Sequence, residues 1–243
     1  MNIDAHCHID LYQNPRKILI EANNSNLAVL SMTNLPSHFE LGYSYFKTLK
    51  KVRLALGMHP LMAEFHKKEF PLFMRNLHKT SYIGEVGLDF SMEGINTKDI
   101  QIETFTKILS NIIGQRKILS IHSRKAEREV LNLLKEYKIR NAIFHWYSGS
   151  IKLIDEIAEC GFFFSVNSAM IKSQNGRKIL QKIPKNFLLT ETDGPFVQEN
   201  NTPLKPGQVE SVITFLSELW SVSESDVKET LNSNFKNLLK SIK

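Results

Sequence analysis

A chain of 243 residues, 42% of them hydrophobic and 23% charged, holds enough apolar material for one sizeable core, which excludes intrinsic disorder and the collagen-like and disulfide-scaffold classes. Cys7 and Cys160 form no CxxC, no apolar run reaches bilayer length, and the N-terminus lacks a basic start followed by a long apolar stretch. The expectation is a cytoplasmic protein with no structural disulfide and no membrane partner; its formal charge of +6 is only a mild push toward polyanions.

Taken in chain order, short apolar runs alternate with longer stretches of helical spacing. The first strand candidate, 2–6, leads into His6-Cys7-His8 and a helix at 15–25. Strands follow at 27–32 and 52–57, the latter running into Gly57-Met58-His59-Pro60. A fourth, 82–88, ends in Gly84-Glu85-Val86-Gly87-Leu88-Asp89 and precedes a helix at 98–113. Strand 118–121 opens onto His122-Ser123-Arg124 and helix 126–137, and strand 142–145 ends in His145-Trp146. Helix 151–160, strand 162–166, helix 176–183 and strand 187–190 come next, the last running into Glu191-Thr192-Asp193-Gly194-Pro195. Helix 208–219 and a final helix capped by Ser223 close the chain. Eight strand–helix units in this length predict an α/β fold, a (β/α)8 TIM barrel in a single domain spanning 1–243. A doubly wound open sheet shares the alternation, but the first strand ends in histidines rather than a glycine-rich phosphate turn.

Five of the eight histidines lie at carboxyl ends of these strands, which in a barrel share one face. Each has a plain reading alone: an isolated HxH pair is usually surface or core, and Asp before Gly-Pro is a common turn former. Together, His6, His8, His122 and His145 with Glu85 and Asp193 are hard to explain by packing, since bunched ionisable groups are costly to desolvate without a compensating ion. Imidazole and carboxylate without thiolate suit Zn, Mn, Fe, Ni or Mg. Six ligands exceed one tetrahedral ion and suit two divalent ions bridged by Glu85, an arrangement that serves phosphodiester hydrolysis. No GxSxG, P-loop or GxGxxG occurs, and Cys7 faces away from its flanking histidines.

These residues resemble the TatD-type metal-dependent deoxyribonucleases of the amidohydrolase superfamily. Asp4-Ala5-His6-Cys7-His8-Ile9-Asp10 resembles the opening DxHxHxD of that family, Gly57–Pro60 its GxHP, and 83–89 its IGEIGLD, with Gln101 and Phe105 fitting the Q…F that follows. Further on, 121–124 resembles its HSR, 145–149 its HxFSG, 190–195 its ETDxP, and Asn234-Phe235 its near-terminal asparagine. The resemblance implies one metal on His6, His8, Glu85 and Asp193 and another on Glu85, His122 and His145. A hydroxide would attack phosphorus, with Glu85 and Asp193 catalytic and Asp193 taking the water's proton. Glu85 stands where some superfamily relatives carry a modified bridging lysine, which favours a nuclease over an amidase. The segments 145–150, 164–170, 176–177 and 191–196 resemble the QatD subgroup of Qat anti-phage systems, which implies a defence role with companion Qat proteins. The substrate expected is DNA, as single strands or ends.

Two segments depart from the family pattern, Asn201-Thr202-Pro203 and the shortened stretch after Asp89, and both are expected to border substrate. Asp10 and Glu191 are expected to orient ligand imidazoles from behind. Arg124, Lys125, Trp146, Tyr147 and Phe196 are candidates for phosphate pairing and base stacking, and His59 for phosphate binding or bracing the rim. His38, His66 and His78 read as ordinary surface residues. Two other readings stay open: a barrel amidohydrolase acting on a small cyclic amide or phosphoester, and a non-catalytic assembly module of a defence complex.

Overall fold

Short runs such as Ile118-Leu119-Ser120-Ile121 and Ala142-Ile143-Phe144 are buried on both faces, as parallel strands must be when helices cover one side and neighbouring strands the other. The structure, a computed structural model, describes residues 1–242. In chain order it comprises β1 (Asn2–Cys7), α1 (Pro15–Asn24), β2 (Leu27–Ser31), α2 (Pro36–Phe46), β3 (Val52–Leu54), β4 (Leu56–Met58), α3 (His66–Asn76), β5 (Tyr82–Gly87) and α4 (Lys98–Ile112). There follow β6 (Ile118–His122), α5 (Glu127–Glu136), β7 (Ala142–His145), α6 (Ile154–Glu159), β8 (Phe163–Val166), α7 (Ser168–Lys172), α8 (Gln174–Lys182) and β9 (Leu188–Thr190). A hairpin of β10 (Gln198–Glu199) and β11 (Thr202–Pro203) precedes α9 (Glu210–Trp220) and α10 (Glu224–Lys240).

β1 to β3 pair in parallel, and β4 to β9 pair in parallel, each strand beside its sequence neighbour. β3 and β4 are halves of one barrel position, interrupted at Ala55, whose N–H donates to Ser31 O at 2.8 Å. The seam between β9 and β1 closes without a regular ladder. Asp193 N donates to His6 O (2.9 Å), and Thr190 Oγ1 donates to Ile3 O (2.6 Å). The buried Asp4 carboxylate accepts from Thr192 N, Thr192 Oγ1 and Gly207 N at 2.6–3.0 Å, and burial pushes it up to about 6 despite those bonds. The result is the α/β barrel of eight strand positions that the alternation predicts.

Two apolar layers hold it. Phe39, Phe73, Phe105 and Leu131 fill the space between sheet and helices. Inside the lower half, Ile3, Ala28, Ile118, Ile143 and Leu189 meet Phe235 and Leu238 of α10, which plugs that end. Asn234 fastens the plug by donating to Lys185 O (2.7 Å) and Leu188 O (2.8 Å). Helices α2 and α3 escape the sequence pattern: α2 is crowded with aromatics and a glycine, and α3 contains Pro71 in its interior. Gly87 is required where it stands, because its φ is +140° and a Cβ there would lie 2.0 Å from His122 O.

Candidate metal centre

The carboxyl ends of β1, β5, β6, β7 and β9 deliver the polar cluster. His6 ends β1's inward-facing series and His8 follows two residues on, so the rings share a side; their Nε2 atoms face each other at 3.2 Å. Asp193 is held at φ 47° with its N–H on His6 O, and its Oδ1 lies 3.7 Å from both Nε2 atoms. Glu85, on β5, divides its oxygens between two sets of imidazoles. Oε2 is 3.4 Å from His6 Nε2 and 3.3 Å from His8 Nε2. Oε1 is 2.6 Å from His122 Nδ1, 3.0 Å from His145 Nε2 and 3.3 Å from His59 Nε2.

A supporting ring orients these groups. Ser120 Oγ sits 2.7 Å from His6 Nδ1. Asp89 Oδ2 sits 2.7 Å from His122 Nε2, and the loop carrying Asp89 is tied by Gln101, whose Oε1 accepts from Asp89 N and whose Nε2 donates to Gly94 O. Glu191 accepts from Trp146 N (3.1 Å), Asn167 Nδ2 (2.8 Å) and Ser165 Oγ, leaving Oε2 3.6 Å from His145 Nδ1. The Trp146 bond holds a bulky residue at φ 38°, a backbone state that persists only where its surroundings impose it.

Charge follows from this packing. Burial pushes Asp193 up to about 7 even with cationic imidazoles nearby. Burial would also raise Glu85, but the surrounding imidazoles outweigh it and hold it well below the usual carboxylate range. Burial lowers His6, aided by His145, and lowers His59. His8, His122 and His145 go the other way, because the carboxylates of Glu85, Asp89 and Glu191 overcome their desolvation.

The residues fit a divalent ion. Their ligand atoms form three overlapping groups, His6/His8/Asp193, His6/Glu85/His145 and His59/Glu85/His122, each with atoms within 4.8 Å of one another. Asp193 Oδ1, His8 Nδ1 and His145 Nδ1 are buried without a hydrogen-bond partner among the described residues. Such orphans are costly, and an ion would satisfy the carboxylate. The donor set is nitrogen and oxygen throughout, which suits Zn, Mn or Mg.

The structure brings together all six sequence-predicted ligands and adds to them. His59, expected to bind phosphate or brace the rim, falls among the ligand groups, where His122 pairs with His59 and Glu85 while His145 pairs with His6 and Glu85. Asp89 and Ser120 carry supporting roles that sequence reasoning missed. Asp89 was visible in the Gly87-Leu88-Asp89 motif; Ser120 had no signal beyond facing the same side of β6 as His122. A cleft of about 690 Å³ opens above the cluster, lined by Arg124, Trp146, Phe196, Met62 and Glu93 among others.

Other expectations need correction. Tyr147 is 1% exposed, packs against Phe144 and Phe164 and donates to Ser150 O, so it is a core residue and not a substrate contact. Asp10 makes no hydrogen bond to a ligand imidazole, its Oδ2 lying 3.8 Å from His38 Nδ1, and acts on His8 through its charge alone. His66 is 2% exposed and bonds His59 O at 3.0 Å, because α3 folds back onto the His59 loop; it is no surface residue. Lys125 is exposed and outside the cleft lining; the Asn201-Thr202-Pro203 segment also lies outside it, joining the β10–β11 turn, where Asn200 and Asn201 are at φ 51° and 59°, to β11.

A barrel whose strand ends gather histidines and carboxylates around one mouth is the architecture of a metal-dependent hydrolase. The chain belongs to the TatD-related DNase family, whose model matches residues 3–240. It is 27% identical to an uncharacterized metal-dependent hydrolase of Methanocaldococcus jannaschii, covering 99% of this chain and 96% of that protein. It is 23% identical to the deoxyribonuclease TATDN3 of Homo sapiens, covering 96% and 92% respectively. The crystal structure of the TatD homolog YJJV from Escherichia coli superimposes with a TM-score of 0.84 at 22% identity, over 98% of this chain and 97% of that one, which fixes the fold.

Proposed function

We propose that this metal-dependent hydrolase cleaves phosphodiester bonds in DNA through two divalent ions held by His6, His8, Glu85, His122, His145 and Asp193, with His59 beside them. The observation that carries the reading is Glu85, whose two oxygens face separate imidazole sets at 2.6–3.4 Å, the disposition of a carboxylate shared between two ions. Ions bound there supply Lewis-acid activation of a water and offset charge on the phosphate. The chain's own groups do the rest. Asp193, whose Oδ1 faces His6 and His8 as a ligand, would take the water's proton on its other carboxylate oxygen. Ser120 and Glu191 hold His6 and His145 in place. Arg124 and Trp146 border the cleft where a phosphate and a base would lie.

The names of relatives such as the human deoxyribonuclease support DNA as the substrate. Single strands and ends fit the cleft better than a duplex, because Arg124 is the one lysine or arginine in its lining and is already 3.4 Å from Glu93. The likeness of 145–150 and 164–170 to the QatD subgroup supports a role in anti-phage defence alongside companion Qat proteins. The test is turnover by metal-loaded protein of labelled single-stranded DNA against a panel of small amides and esters, with Glu85→Gln in parallel. DNA cleavage that vanishes in the variant is expected; amide turnover without DNA cleavage would transfer the protein to the amidohydrolase reading.

A further inference from the structure

The end of the barrel opposite the metal centre, where helices finish and strands begin, is built from loops 25–26, 47–51, 77–81, 113–117, 137–141, 160–162 and 183–187. These loops carry nine lysines and arginines and no Asp or Glu. Removing those nine from the chain's 31 cations leaves 22 against 25 acids, so the molecule's positive charge resides on this face. Glu136 and Glu159 stand beside it at the ends of α5 and α6, Glu40 lies near Lys79, and Glu210 accepts from Asn2 at the start of β1.

Helix carbonyl ends also gather here and favour cations. Some are used that way: Lys117 Nζ donates to Leu77 O and Thr80 O at 2.7 and 2.6 Å, and Lys51 Nζ to Ser25 O at 3.2 Å. That need does not account for Lys47, Lys50, Lys138 and Arg140. All four are exposed, and their side chains make no hydrogen bond or ion pair with any described residue. Two shallow clefts of about 270 and 300 Å³ open on this face, to either side of the end of α10. One is lined by Lys47, Arg53 and Lys79 beside Tyr43 and Tyr82, and the other by Lys138 and Arg140.

We infer that this basic underside is a docking surface for a nucleic-acid strand, held by its phosphates and separate from the mouth. The inference rests in part on the phosphodiesterase reading, which makes nucleic acid the polyanion at hand. The surface chemistry favours that occupant over an acidic protein. Protein interfaces have apolar cores depleted of lysine, whereas nucleic-acid interfaces are polar and strongly positive. Within these loops Ile113 is the one large hydrophobic side chain that is exposed. The mouth, with Arg124 as the one lysine or arginine in its lining, has little grip on a long strand beyond the metal centre; the underside supplies it and keeps ends near the active site.

The test is binding, read without turnover: chelator-treated protein and a labelled single-stranded oligothymidylate of about 30 nucleotides, several times the shortest site sizes of ~4–16 nucleotides. Wild type is compared with Lys50→Glu/Lys138→Glu/Arg140→Glu across a salt series. The inference expects at least a tenfold loss of affinity in the triple variant and a salt slope shallower by about 2, at roughly 0.7 per phosphate contact on a single strand. Turnover of a small chromogenic phosphodiester by the metal-loaded variant should be unchanged. Equal affinity and slope in both proteins would overturn the inference, as would equal binding of poly-glutamate, which would mark an acidic-protein dock. Strand binding through this face without DNA cleavage would leave the inference standing while overturning the phosphodiesterase reading.

Discussion

Glu85 and its imidazoles show what burying like and unlike charges together achieves. His8, His122 and His145 are held above the usual imidazole range by carboxylates, so an ion entering the site must displace protons from them. Apparent metal affinity should therefore fall as pH drops from about 8 to about 6, with proton release on binding. Calorimetry in two buffers of different ionisation enthalpy measures it, and pH-independent binding would contradict it. Glu191→Gln removes the carboxylate behind His145 while keeping three donors around it, and should weaken metal binding by about 10–100-fold. At this scale the sequence was informative where type and spacing were unusual: HxH, the glutamate between glycines, and the aspartate before Gly-Pro. It misled on Tyr147 and His66, because a polar tip on an apolar ring reads alike whether it lines a cleft or bonds a carbonyl inside the core.

At the scale of elements, the barrel strands were legible because burial on both faces demands near-continuous apolar runs, and α10 because Ser223 and Asp226 form a complete capping box. Ser223→Ala should cost about 1 kcal/mol in denaturant unfolding. Asn234→Ala should cost more, on the order of 2–4 kcal/mol, since two buried carbonyls, Lys185 O and Leu188 O, lose their donor where the plug meets β9. An Asn234→Ala protein as stable as wild type would mean the plug is held by Phe235 and Leu238 alone. Helices α2 and α3 stayed hidden because their apolar contacts, not their propensity, make them helical: Phe39 and Phe73 are fully buried. The closure of β9 on β1 was hidden too, since Asp4, Thr192 and Gly207 meet only in three dimensions.

For the molecule as a whole, the barrel separates two ends by charge. Strand termini gather acid and imidazole at the mouth, and helix termini gather cations beneath. Net charge alone gave the sum and not this separation, which depends on which loops face which end. Among the described residues no helix is long and apolar enough to cross a membrane. Phosphodiester cleavage at the mouth is proposed to need two ions that share Glu85. The most direct measurement strips the protein with chelator and returns a divalent ion stepwise, reading ions bound per chain against cleavage of labelled single-stranded DNA. Cleavage should stay near background at one ion and rise steeply as the second binds, and Glu85→Gln should show neither the second ion nor the rise. Full cleavage at one ion per chain, or undiminished cleavage by Glu85→Gln, would contradict it.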